Sequence, residues 1–286
     1  MKIHKIPQFS FPNATILAIS LILISCISIN TEETRKKDEL IKAQLKVVSV
    51  RLNNGEPEKA LQTLKYLQSN FPNNYSILTI HGMTHLTLEN PGQAIHYLKR
   101  AYEQQPTAAS GLNLSSALIA NQEAGKARML LFKLIKEEKS YRYKERLIHN
   151  IALSYLKESK LKAAEKYFQN AIDINPTYYM SLIELAKIYD SKKDNTKAIQ
   201  YLEKAARACS TCYEPTNLLA TKYIDLRETK KAIKILEKFV HNQDNAIADQ
   251  ESATNYLKLL KKQPQSSTQV KISKQNSGQK KPVSSR

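Results

Sequence analysis

Apolar positions in the middle of the chain follow a helical spacing, and that spacing repeats with a long fixed period. Aligned on one alanine per unit, the register runs through Ala60, Ala94, Ala127, Ala164, Ala198 and Ala232, at steps of 34, 33, 37, 34 and 34 residues. Four residues further on stand Leu64, Leu98, Leu131, Phe168, Leu202 and Leu236, and seven further on Leu67, Ala101, Leu134, Ala171, Ala205 and Phe239. Offsets of four and seven share one face of an α-helix. A second helix precedes this one. Twelve residues before the alanine lie Val48, Gly82, Ser115, Ala152, Ala186 and Ala220, and nine before it Tyr155, Tyr189 and Tyr223 fill three units. Pro72, Pro106 and Pro176 lie twelve residues after the alanine, where proline ends a helix and opens a turn. Each unit therefore predicts an antiparallel helix pair, with small residues at the closest approach. One such pair leaves its apolar stripe open, so neighbouring pairs must stack.

The third unit is the weakest match. Leu118 occupies its Tyr slot and Lys139 its Pro slot, and its 37-residue step predicts a longer loop around Lys139–Tyr143. Residues 247–262 predict one more amphipathic helix, with Tyr256, Leu257 and Leu260 inward, suited to cap a stack. Residues 263–286 are too polar and too basic to fold alone.

The repeat length and the order small–aromatic–Ala–aromatic–Ala–Pro resemble the tetratricopeptide repeat. That resemblance covers residues 41–246 and implies an all-α fold, a right-handed superhelix of six helix pairs followed by the capping helix. The six units are 41–74, 75–107, 108–144, 145–178, 179–212 and 213–246. The chain departs from the family in having no Trp.

The N-terminus has a different pattern. Lys2 and Lys5 precede residues 14–24, ATILAISLILI, an uncharged run of eleven residues. As a helix it would rise about 16 Å, short of the ~30 Å of bilayer hydrocarbon, which suits a signal-peptide core. The run ends in LISC. This resembles a bacterial lipobox, with aliphatic Leu23 three before the cysteine and small Ser25 just before it. The resemblance implies cleavage after residue 25, thioether and amine acylation (palmitate among the chains) at Cys26, and a tether over 26–40. Several acyl chains anchor stably where one is marginal. Ile27 follows, not Asp, which among Gram-negative lipoproteins implies the outer membrane, facing the periplasm. A plain signal peptide or uncleaved anchor with an incidental cysteine is the alternative.

Formal charge is +18, falling to +16 without residues 1–25, and about +11 of that belongs to 26–262. The excess suits an acidic partner or anionic surface. It is spread out rather than gathered into a patch, which argues against nucleic acid. Cys209 and Cys212 form CSTC at the end of the fifth unit, where Ser210 replaces proline. Outside the cytoplasm they would form a disulfide across the turn. Free thiols and a redox-active pair are the alternatives, although a redox C-x-x-C normally follows a strand and opens a helix. His81 and His85 lie four apart, as metal ligands can, but occupy packing slots. Without a Glu the stretch does not resemble a metalloprotease motif, and zinc at Cys209 and Cys212 would need two more ligands that no nearby His or Cys supplies, so no metal is predicted. With six glycines the chain offers no phosphate cradle or nucleophile elbow, so the expectation is a protein that is not an enzyme and takes no cofactor beyond the lipid.

In tetratricopeptide proteins the first helix of each pair lines an inner groove. Carried over by position, the partner-binding groove comprises Lys42, Leu45, Ser49, Leu52 and Asn53; Thr79, Met83 and Leu86; and Leu112, Ser116 and Ile119. His149, Leu153 and Leu156 extend it into the fourth unit. The leucines, Met83 and Ile119 predict an exposed apolar strip, suited to a helix or extended segment unless another layer or the tail covers it. The combination of lipobox, six units and a late cysteine pair resembles the type IV pilus pilotins, outer-membrane lipoproteins of pilus biogenesis. That resemblance implies a monomer that binds a secretin subunit and promotes its outer-membrane localisation and multimerisation. The alternative is an envelope scaffold for peptidoglycan-building or other envelope enzymes.

Overall fold

A computed structural model describes the backbone of residues 13–137, 141–242 and 244–262, with side chains from Glu32 onward, Tyr141 excepted. Among these residues the structure is all-α: thirteen α-helices and a 3₁₀ turn at Tyr141–Tyr143, with no strand. The helices are α1 (Asn13–Asn53), α2 (Pro57–Asn70), α3 (Tyr75–Thr87), α4 (Pro91–Gln104), α5 (Ala108–Ala120), α6 (Ala124–Glu137), α7 (Lys144–Lys157), α8 (Leu161–Ile174), α9 (Tyr179–Ser191), α10 (Asn195–Ala208), α11 (Tyr213–Asp225), α12 (Thr229–Val240) and α13 (Ile247–Lys262). Among the described residues no helix is long and apolar enough to cross a membrane. The assignments to residues 1–12, Lys139 and 263–286 lie outside the described residues, as does the Cys26 side chain.

Two compact units divide the chain at Ser181 and Leu182. In the first, three apolar clusters follow one another. Ile41, Leu45 and Val48 of α1 close on Ala60, Leu64 and Leu67 of α2 and Ile77 of α3. Ala94 and Leu98 meet Leu114, Ala117, Leu118 and Ala127. Ala108 and Leu112 meet Leu131, Leu134, Leu147 and Ile151. In the second unit, one core joins Leu202, Leu219, Ala220, Tyr223, Leu236 and Phe239 to Ala253, Leu257 and Leu260 of α13. Tyr256 stands half-buried beside them, its hydroxyl 3.4 Å from that of Thr221. The six register alanines are all fully buried, as is the residue four positions after each in every unit but the fifth and second, where Leu202 and Leu98 keep a trace of exposure.

Every hairpin turns the same way. Five residues before the register alanine, Gly55, Glu89, Gln122, Ser159, Lys193 and Arg227 all hold a left-handed backbone, with φ between 56° and 71°. The next residue donates its N–H to the carbonyl five residues back, as in Asn90 to His85 (2.8 Å), Lys160 to Tyr155 (3.0 Å) and Glu228 to Tyr223 (2.8 Å). This bond caps one helix and starts the next. Glycine adopts the conformation freely, yet five of the six positions carry side chains.

Candidate partner-binding face

The groove residues lie on α1, α3 and α5, but they differ widely in exposure. Lys42, Ser49 and Asn53 are exposed on α1. Met83 is 41% exposed on α3. Leu52, Leu86, Ile119, Thr79 and Ser116 are half-buried, as are Leu153 and Leu156 on α7. Two members of the expected apolar strip are not available to a partner. Leu45 (8% exposed) and Leu112 (4%) belong to the cores of their hairpins. Helical position alone put them on the inner face. In the fold, successive first helices approach closely enough to cover them. Within the α5–α6 hairpin the packing is also close: a Cβ on Gly111 would meet Leu134 Cδ1 at 2.3 Å.

Polar links then fasten α5 to α7 beneath this face. Asn150 donates from Nδ2 to Ser115 Oγ (3.0 Å) and Ser116 Oγ (3.2 Å). Ser116 in turn donates to the Leu112 carbonyl (3.0 Å), so its hydroxyl is engaged rather than offered to a partner. His149 is buried, with Nδ1 2.9 Å from Ser181 Oγ, and Tyr178 lies edge-on to its ring. Burial pushes the Tyr178 hydroxyl up to about 12. The Asn150 link is a site feature that the sequence reading missed, because asparagine carries no position-specific signal there.

The histidine pair on α3 sits in the hairpin's aromatic stack. His85 occupies the slot of Tyr155 and Tyr189, and its ring lies parallel to Tyr97 at 5.4 Å. Tyr155 with Tyr167 (5.3 Å) and Tyr189 with Tyr201 (5.4 Å) repeat the arrangement in α7–α8 and α9–α10. The His81 and His85 rings are stacked 5.3 Å apart. Among the described residues no group of three or more His, Cys, Asp or Glu is placed to hold a metal ion.

Cys209 ends α10 and Cys212 opens α11. The structure joins them as a disulfide with Cα atoms 5.3 Å apart, and Cys212 donates its N–H to the Cys209 carbonyl (3.2 Å). The bond spans a helix-to-helix turn.

Hairpins of one register, a recurring aromatic stack and a common left-handed turn describe one repeating unit. Residues 81–142 and 149–211 match the tetratricopeptide repeat family. These residues are tetratricopeptide repeats. Such repeats are protein-interaction modules. No curated protein matches the chain. Among solved structures, a tetratricopeptide repeat protein from Parabacteroides merdae superposes with a TM-score of 0.55 at 16% identity, over 76% of this chain and 83% of that one. PilW, a widely conserved type IV pilus biogenesis factor, does so at 0.52 and 13% identity, over 74% and 97%. PilF of Pseudomonas aeruginosa gives 0.50 and 17%, over 77% and 99%. At these identities the likeness is one of fold.

Proposed function

We propose that the protein is a lipid-anchored tetratricopeptide adaptor of type IV pilus biogenesis, acting as a pilotin toward secretin subunits. The observation that carries this reading is the placement of an LISC cysteine at the head of a repeat array whose fold matches PilW and PilF over nearly their full lengths. In this reading Cys26 is acylated and held in the outer membrane. Confinement to the membrane surface raises the effective concentration of the repeats near a membrane-bound client. Lys42, Ser49, Asn53 and Met83 then contact an exposed segment of the secretin monomer, backed by half-buried Leu52 and Leu86. No covalent step is involved. The client is held until neighbouring secretin subunits replace the adaptor.

Four measurements test the reading with protein and membranes of the native host. Intact-mass analysis of the mature protein should find an N-terminal acylated Cys26, and Cys26→Ser should release the protein from membranes. Met83→Asp combined with Lys42→Glu should leave helicity unchanged and reduce heat-stable secretin multimers at least about tenfold, the loss of one buried contact plus one charge contact. Wild-type multimer levels in that double variant would remove this face from the mechanism. Recovery of murein synthases or hydrolases, and no secretin, on the immobilised wild-type protein would favour the envelope-scaffold reading instead.

A further inference from the structure

His81 stands thirteen residues before its register alanine. The same slot holds Val47, Leu114, Ile151, Leu185 and Leu219 in the other units, so it is otherwise aliphatic. His81 is fully buried. Neither of its ring nitrogens has a hydrogen-bond partner. Its ring lies flat against Tyr97, with centroids 3.9 Å apart. A buried polar group without partners loses the hydrogen bonds that water gave it, so this position is held at a cost that an aliphatic residue would not incur.

The surroundings tolerate only the neutral ring. The titratable groups that face it are His85 on its own helix, Lys65 from α2, and His96 from α4 beside the stacked Tyr97. None is an acid. A proton on His81 would therefore place a buried cation among neighbours that repel it, with no anion to pair with. His85 adds to this, being buried with Nδ1 also unpartnered.

We propose that His81 is an acid-sensitive catch: its protonation opens the α3–α4 hairpin and withdraws Met83 and Leu86 from the partner face. The inference needs only the fold and holds whatever the partner is. Its sign follows from linkage. Burial, then repulsion from His85, Lys65 and His96, lowers the His81 pKa from 6.5 to about 4 in the closed hairpin. Opening returns it to about 6.5. The open state therefore binds the proton more tightly. Closure is fully favoured above pH ~6.5, loses ground as pH falls below it, and loses no more once pH passes ~4. Between pH 7.5 and 5 the opening equilibrium should rise about 30-fold through this one group.

Hydrogen–deuterium exchange on the full-length protein at pH 7.5 and 5.0, corrected for intrinsic rates, reads this directly. Amides of α3 and α4 should show an opening equilibrium about 30-fold larger at pH 5.0, and those of α11 and α12 should not. His81→Leu, the residue of three other units, should remove most of the rise and leave the smaller part that buried His85 contributes, while His85→Tyr, the residue of three other units at that slot, should keep most of it. An equal rise in His81→Leu would overturn the proposal. So would a His81 ring-proton titration by NMR with a midpoint near 6.5 in the closed wild-type protein, a measurement that stands even where the leucine variant fails to fold.

Discussion

Hairpins α3–α4 and α7–α8 share one register and differ in what fills it. Ile151 stands where His81 does, Tyr155 where His85 does, and Tyr167 where Tyr97 does. The stack survives the exchange of tyrosine for histidine almost unchanged, at 5.3 Å in one hairpin and 5.4 Å in the other. The chemistry around the stack does change. Ile151 joins Leu131, Leu134 and Leu147 in an apolar core, whereas His81 brings two unpartnered nitrogens into the equivalent place. Arg128 from α6 lies 4.6 Å over the Tyr155 ring and donates to Glu158 (2.7 Å). Hydrogen bonds from Arg128 and Lys160 hold the Glu158 carboxyl below the usual carboxylate range. At the position of Arg128, the helix before α3 carries Leu61. One scaffold thus supports a hairpin with a dry core and a charged clasp, and another with a buried base and no clasp.

The comparison can be broken at three points, in falling order of effect. The heaviest is the residue four after the alanine. Phe168→Ala should cost ~3–5 kcal/mol and Leu98→Ala ~2–5 kcal/mol by denaturant unfolding, since both are buried and leave cavities. A cost under ~1 kcal/mol at either would show that its hairpin repacks freely. Next is the slot of closest approach, glycine in one hairpin and alanine in the other. A Cβ on Gly82 would meet Leu98 Cγ at 2.5 Å. Gly82→Ala should therefore cost ~1–3 kcal/mol through overpacking, although Ala152 occupies the same slot in α7 with full burial. A neutral outcome would mean that the two hairpins have the same clearance. The smallest effect lies at the turns, where both hairpins behave alike. Glu89→Gly and Ser159→Gly should each stabilise by ~0.5–1 kcal/mol, because relief of left-handed strain exceeds the added freedom of the unfolded chain. Destabilisation by either would point to a contact of that side chain outweighing its strain.

The helix pairs were legible along the chain because helical spacing and small-residue periodicity are local properties. Val48, Ala152 and Ala220 can be placed at a close approach from their distance to an alanine, and all three are buried. The partner face was legible only in part. Lys42 and Met83 are exposed as their positions predict, whereas Leu45 and Leu112 are not. The left-handed turns were invisible, since Glu, Gln, Ser, Lys and Arg carry no signal for positive φ.

What the residue order decided, then, was the kind of element, its period and the side of each helix that turns inward, because these depend on neighbours three to seven positions away. Which inward residues stay open to a partner, and that neither ring nitrogen of His81 finds a hydrogen-bond partner, was decided by helices from other parts of the chain. Burial and charge at those sites are sums over residues far apart in sequence, and only the folded arrangement brings them together.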